Sequence, residues 1–151
     1  PDKGKVADWA VNNGYVSTFG MNYKTITENG QKLLGYNNTL AMSAFLTTYS
    51  ASSEILSALN SYSVALPNDT SGAWYIPSVA EMSQIYSNYS KINAALSSVG
   101  TELSNASYWT SSDNENSSSY GATINPTTGT CTDQYAPYKT NSYKVRFIFA
   151  F

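Results

Sequence analysis

A short stretch in the middle of the chain constrains the fold more than any other. Residues 73–76 (Ala-Trp-Tyr-Ile) form an apolar run typical of a buried strand, and Pro77 ends the run because proline has no backbone N–H to donate. Ser78 and Glu81 follow with the spacing of a capping box, in which the side chain of each bonds to the backbone amide of the other. The sequence therefore predicts a buried strand that leads directly into a helix over residues 78–89.

Two further helical segments are predicted before this stretch. The side chains of residues 37–39 (Asn-Asn-Thr) offer capping oxygens for a helix over residues 40–49. Ser53 and Glu54 begin a second amphipathic segment, in which apolar residues recur at helical spacing. The sequence leaves open whether this second segment continues the first helix or follows a kink.

Another helix is predicted immediately after residues 78–89. Ser90 is suited to cap this helix, and Gly100 is suited to end it, since glycine commonly follows the last helical turn. The predicted apolar face consists of Ile92, Ala95, Leu96 and Val99. Helices are therefore expected to dominate the centre of the chain.

The pattern changes to that of strands in the last third of the chain. Strands are predicted over residues 108–110 and 120–124, with a turn through residues 125–129 (Asn-Pro-Thr-Thr-Gly). Residues 143–151 alternate most regularly, because every second residue is aromatic or valine. An exposed edge of this composition would invite aggregation, so we expect residues 143–151 to lie inside the sheet.

The composition favours a secreted-type binding domain of the α+β class. The length of 151 residues suits a single domain, predicted over residues 1–151, in which residues 1–34 are the least defined. Only 12% of the residues are charged and Lys and Arg are not clustered, which argues against a nucleic-acid partner. No apolar run reaches the roughly 18 to 20 residues that span a membrane. Polarity comes instead from Ser, Thr, Asn and 13 Tyr, which are residue types common in recognition surfaces.

Several kinds of catalytic site are excluded by composition. The chain has no histidine, which excludes a Ser-His-Asp triad and a histidine-bearing zinc site, and it has no glycine-rich phosphate loop. Residues 113–116 are interpreted as a solvated acidic loop rather than a calcium site, and the lone Cys131 as incidental. We therefore predict no catalytic residue, no cofactor and no bound metal. A glycosidase needs only two nearby carboxylates, and no motif decides that point.

Three motifs, in this order along the chain, resemble those of one known group of domains. Residues 73–82 (AWYIPSVAEM), 108–113 (YWTSSD) and 144–151 (KVRFIFAF) are similar to segments of the bacterial C-type-lectin-like domains of gut Bacteroidetes. Residues 35–39 (GYNNT) are similar to the start of the first helix in those domains. The resemblance covers residues 35–151. It implies a C-type-lectin-like fold, in which helices pack on a small antiparallel sheet with long loops.

The resemblance includes the variable proteins of diversity-generating retroelements, whose C-terminal segment is rewritten by adenine-directed mutagenesis. Residues 105–143 have the Asn, Tyr, Ser and Asp content of such a segment. Within this segment, exposed residues are predicted to bind the ligand: Asp113, Asn114, Glu115, Asn116, Tyr120, Gln134, Tyr135, Tyr138 and Lys139. Four large aromatic residues are expected to anchor the core instead: Trp74, Trp109, Phe147 and Phe149.

Three functions stay open on the sequence alone. The first is recognition of a surface protein or glycan by a domain displayed at a bacterial cell surface or on a phage particle. The second is a structural role, as the tip or packing domain of a pilus or of a surface lipoprotein without sequence diversification. The third is a glycan-active enzyme. We favour the first of these hypotheses.

Overall fold

The structure, a computed structural model, describes residues 35–49, 53–66, 72–113, 121–132, 138 and 141–149. Its helices are α1 (Gly35–Tyr49), α2 (Glu54–Asn60), α3 (Val79–Ser87) and α4 (Tyr89–Val99). Its strands are β1 (Tyr108–Asp113), β2 (Gly121–Ile124) and β3 (Cys131–Thr132), which form one antiparallel sheet in the order β1-β2-β3. The α+β class is confirmed. Within these ranges no helix is both long and apolar enough to cross a lipid bilayer.

The capping box predicted at the start of α3 is confirmed. Ser78 has extended backbone angles, and its hydroxyl accepts a hydrogen bond from the amide of Glu81. The Oε2 atom of Glu81 in turn accepts from the amide of Ser78 at 2.7 Å and from its hydroxyl at 2.8 Å. These reciprocal bonds satisfy amides that have no partner inside the helix. The residues of this box therefore set the direction in which α3 leaves the preceding segment.

The carboxylate of Glu81 also reaches beyond its own helix. Its Oε2 atom accepts from the amide of Gly35 at 3.1 Å, and its Oε1 atom accepts from the hydroxyl of Tyr75 at 3.1 Å. A Cβ atom on Gly35 would lie 2.7 Å from the carbonyl oxygen of Ile76, so only glycine fits this close approach. Burial, together with the adjacent carboxylate, raises the pKa of Tyr75 to about 12. One side chain thus holds the starts of α1 and α3 together.

The start of α1 differs from the prediction. The helix begins at Gly35, so residues 37–39 lie inside it and do not cap a helix over residues 40–49. The reason is that Asn38 and Thr39 are buried and bond to other elements. Thr39 Oγ1 donates to the carbonyl of Gly35 at 2.8 Å and accepts from the amide of Ile76 at 3.0 Å. Asn38 Nδ2 donates to the carbonyl of Ser111 in β1 at 3.2 Å. These side chains tie α1 to the sheet.

A separate helix follows α1, which settles the question that the sequence left open. Ser53 has extended backbone angles, and its hydroxyl accepts from the amide of Leu56 at 3.4 Å, so it caps α2. Glu54 occupies the first turn, where its negative charge is stabilised by the positive end of the helix dipole. Leu56 is the residue of α2 that is almost fully buried. The segment is therefore a short capped helix and not a continuation of α1.

The helical centre is divided at Asn88 and not at Ser90. Asn88 is the C-cap of α3 and the N-cap of α4, and Ser90 lies within α4. The amide of Asn88 donates to the carbonyls of Gln84 and Ile85, and its side-chain nitrogen donates to Gln84 at 3.0 Å. These bonds end α3 and leave no side-chain cap for α4. The predicted helix over residues 78–89 is therefore confirmed, although it ends at Ser87, and the predicted cap at Ser90 is wrong.

The core lies between this pair of helices and the sheet. Met82, Leu103, Tyr108 and Ile124 form its buried centre, and Ile92 and Leu96 pack against that centre from α4. The predicted apolar face of α4 is thus confirmed in part. Ala95 is exposed, and Val99 is 81% exposed. Gly100 ends the helix as predicted, with its amide bonded to the carbonyl of Leu96 at 2.8 Å.

The sheet is formed by β1 and β2, with β3 as a short third strand. Tyr108 pairs with Ile124, and the register shifts between Trp109 and Asp113. The predicted turn after β2 is confirmed: the amide of Gly129 bonds to the carbonyl of Asn125 at 2.8 Å, and Gly129 has a φ of 71°. A positive φ favours glycine. This turn brings β3 back antiparallel to β2.

The segment predicted as a closing strand over residues 143–151 is paired at two isolated positions and not along a continuous ladder. Lys144 forms a parallel bridge with Tyr108, and Ile148 forms an antiparallel bridge with Tyr75. Its two ends therefore pair with different neighbours, each through a single bridge. Residues 150 and 151 lie outside the described residues. The predicted strand over residues 73–76 is likewise reduced to the bridge at Tyr75, and Ala73 is exposed.

Of the four aromatic residues predicted as core anchors, one is buried. Trp109 is 5% exposed and meets the ring of Tyr143 edge to face at 5.0 Å. Trp74, Phe147 and Phe149 are half-buried, so the prediction for these three is wrong. Trp74 meets the ring of Phe149, and Phe147 meets the ring of Tyr62, so these rings pack on other partly exposed aromatic residues instead of filling the core.

Replacing Trp109 by alanine is expected to lower the free energy of unfolding by about 3 to 5 kcal/mol, because it leaves a large cavity beside the sheet. Denaturant unfolding followed by circular dichroism measures the change. Val99→Ala, at an exposed position, is the control and is expected to change stability by no more than about 0.5 kcal/mol. Equal stabilities for the two variants would contradict the assignment of Trp109 to the core.

Candidate functional site

The ligand-binding residues predicted from the sequence lie mostly outside the described residues. These are Asn114, Glu115, Asn116, Tyr120, Gln134, Tyr135 and Lys139. Asp113 is described only as the last residue of β1, and Tyr138 is 48% exposed. The predicted site therefore stays a prediction, except that Tyr138 is at the surface as expected.

The sheet does bring together the points from which the two predicted segments depart. Asp113 ends β1 beside Gly121, which begins β2, and Thr132 ends β3 beside Thr123. Because β1 and β3 are both antiparallel to β2, their final residues lie at the same end of the sheet. The chain therefore leaves β1, enters β2 and leaves β3 at one end of the sheet, and the turn at residues 125–130 lies at the other end.

The described residues also form a cleft that the sequence did not predict. It has a volume of about 350 Å³ and lies between the 143–149 segment, the chain after α4 and the chain after α2. Its lining consists of Tyr62, Thr101, Glu102, Tyr108, Lys144, Val145, Arg146 and Phe147. The sequence feature that could have indicated this cleft is residues 144–147, where two basic residues alternate with two apolar residues.

One wall of the cleft belongs to a group of four aromatic rings, which we call the aromatic cluster: Tyr62, Trp74, Phe147 and Phe149. Tyr62 meets Trp74 at 5.1 Å and Phe147 at 5.2 Å between ring centres, and Trp74 meets Phe149 at 4.8 Å, all edge to face. Trp74 Nε1 donates to the carbonyl of Val64 at 2.7 Å, which holds the chain that carries Tyr62. Tyr62 is 38% exposed, so its ring is available to a ligand.

The opposite wall is formed by the chain that follows α4. Asn93 holds this chain, because its Oδ1 accepts from the amide of Leu103 at 2.7 Å and its Nδ2 donates to Glu102 Oε2 at 3.3 Å. The hydroxyl of Tyr89 donates to the carbonyl of Leu103 at 3.2 Å. These bonds from α4 fix the position of Thr101 and Glu102. The wall is therefore held in place by hydrogen bonds within the protein.

Two basic side chains of the 143–149 segment donate hydrogen bonds to the chain that forms this wall. Arg146 Nη2 donates to the carbonyl of Thr101 at 2.6 Å, and Lys144 Nζ donates to the hydroxyl of Ser104 at 2.6 Å. Among the described residues neither cation forms an ion pair. The lining contains a single carboxylate, that of Glu102, whereas glycoside hydrolysis by an acid pair needs two. The arrangement thus suits binding of a small polar ligand.

The fold is similar to that of a bacterial fimbrial protein. The crystal structure of a fimbrial protein from Bacteroides ovatus superimposes with a TM-score of 0.67 and 23% identity, over 85% of this chain and 27% of that chain. No family model matches the sequence.

In sequence, the chain is 27% identical over 161 aligned positions to a protein of Bacteroides ovatus named as fimbrium tip subunit Fim1C. The match covers 97% of this chain and 29% of that protein. The chain therefore spans less than a third of the length of its relative.

These comparisons correct the resemblance drawn from short motifs. The two relatives described above match this chain along most of its length, and they are named as fimbrial proteins, not as C-type-lectin-like variable proteins of a diversity-generating retroelement. The motifs misled because each has a local structural cause. Residues 73–82 carry the capping box, residues 108–113 are β1, and residues 144–149 pack the aromatic cluster and the cleft. Such requirements arise in unrelated domains and do not identify a family.

Proposed function

We propose that this chain is a domain of a fimbrial tip protein and is exposed at the bacterial cell surface. The observation that carries the proposal is the similarity to fimbrium tip subunit Fim1C, which extends over 97% of the chain. The likeness to the fimbrial protein structure agrees with it at the level of the fold. Because both relatives are much longer than the matched region, the expected partners are other domains of a tip protein and other fimbrial subunits.

This role corresponds to the second hypothesis drawn from the sequence, a pilus tip domain. It is also compatible with the first, ligand recognition, since the tip is the part of a fimbrium that first meets another surface. A domain with this role acts by binding and packing, so the proposal includes no catalytic activity. We take residues 1–151 as one domain of the longer tip protein.

Within that role, the residues from Asp113 to Lys139 that were predicted from the sequence are a proposed recognition surface. Two observations support the proposal. The chain leaves β1 and β3 at the same end of the sheet. Tyr138 is 48% exposed, and exposed tyrosines are enriched where proteins bind partners.

Immunogold electron microscopy tests the location. An epitope tag is inserted into the full-length protein that contains this chain, and the fimbriae of the native bacterium are imaged. The proposal predicts label at the free ends of fimbriae. A strain that lacks the coding region is the control for non-specific label. Label distributed along the shafts, or confined to the cell interior, would contradict the proposal.

Adhesion to immobilised mucin, which presents both protein and glycan, tests the recognition surface. Tyr138→Ala is expected to weaken adhesion about tenfold or more, as for an interface anchor, while stability changes by no more than about 0.5 kcal/mol. Tyr86→Ala is the matched control, because Tyr86 is 41% exposed and lies against Gly129 at the other end of the sheet. Equal adhesion by the two variants would place recognition elsewhere on the domain.

A further inference from the structure

We propose that the cleft between the 143–149 segment and the chain after α4 binds a carbohydrate that carries a carboxylate, such as a uronic or sialic acid. The inference rests on the proposed function, because a tip domain at the cell surface meets the glycans of other surfaces. It concerns a site distinct from the recognition surface between Asp113 and Lys139. Charge, aromatic surface and hydroxyl partners each contribute to the argument.

The charges of the cleft select an anion. Arg146 is the sole arginine of a chain whose formal net charge is −2, and it lines the cleft together with Lys144. Of the three basic residues among the described ranges, these two lie here and Lys91 lies on α4. A guanidinium has several N–H donors, and the bond to Thr101 occupies one nitrogen, so the other donors can pair with a carboxylate.

The aromatic wall selects a ring with an apolar face. Tyr62 and Phe147 flank the cleft and meet edge to face at 5.2 Å, which braces both rings. The C–H groups on one side of a pyranose ring pack against aromatic surfaces of this kind. A volume of about 350 Å³ falls at the small end of the range of ligand sites, which fits one or two sugar units.

The acidic group in the cleft favours a sugar over an acidic peptide. Glu102 accepts one bond from Asn93, and its carboxylate has further capacity to accept from ligand hydroxyls. It would repel a ligand that carries several negative charges. Sugars have hydroxyl donors, whereas the side chains of an acidic peptide have none at neutral pH. A ligand with one carboxylate and several hydroxyls therefore suits this cleft. Its carboxylate can pair with Lys144 and Arg146, and its hydroxyls can donate to Glu102.

Calorimetry on the purified chain tests the proposal with matched probes that carry a single carboxylate: galacturonic acid against its methyl ester, and sialyllactose against lactose. At least one acidic probe is expected to bind about tenfold or more tightly than its neutral counterpart. Arg146→Gln and Lys144→Gln are each expected to weaken that binding by a similar factor. Lys91→Gln removes one positive charge away from the cleft and is expected to leave binding unchanged.

NMR spectra of the wild-type chain locate the ligand without any variant, so they decide the matter even if a substituted chain fails to fold. Shifts concentrated at Tyr62 and Phe147 support the cleft, and shifts confined to other residues would overturn it. Equal binding of acidic and neutral probes, no binding of either acidic sugar at millimolar concentration, or tighter binding of hexaglutamate would each overturn the proposal. Absence of the protein from fimbriae, with sugar binding intact, would contradict the proposed function alone.

Discussion

The carboxylate of Glu81 is the constraint on which the rest of the structure depends. It accepts hydrogen bonds from the amides of Ser78 and Gly35 and from the hydroxyl of Tyr75. Gly35 is the first residue of α1, Ser78 caps α3, and Tyr75 lies in the chain just before α3. A buried amide or hydroxyl without a partner costs about 1 to 3 kcal/mol. Glu81 accepts hydrogen bonds from three such groups at once, so one side chain fixes the position of α1 relative to α3.

The sheet and the cleft are positioned by further contacts of the residues around Glu81. The hydrogen bond from Asn38 to Ser111 fixes α1 relative to β1. The bridge between Tyr75 and Ile148 fixes residues 143–149 relative to the chain before α3. Residues 143–149 then present Arg146 to the chain after α4, which Asn93 holds in place. The cleft is thus formed by groups that are each fixed by a separate element.

Sequence patterns predicted the features that arise from local physics. The capping box at Ser78 and the turn before Gly129 are examples, because neighbouring residues determine them. The cap at residues 37–39 was mistaken, because Asn38 and Thr39 bond to residues distant in sequence. The cleft was missed for the same reason: Lys144 and Arg146 meet residues 101–104 only in the fold. The family was mistaken because short motifs report packing and not descent.

The free energy of unfolding of Glu81→Ala, measured by denaturant titration, tests the central role of this carboxylate most directly. Glu54→Ala is the matched control, since Glu54 also lies in the first turn of a helix but is exposed. Loss of the Glu81 bonds is expected to lower stability by about 2 to 4 kcal/mol. The control is expected to lower it by no more than about 1 kcal/mol. Equal, small changes in both variants would show that the starts of α1 and α3 are held together by other contacts.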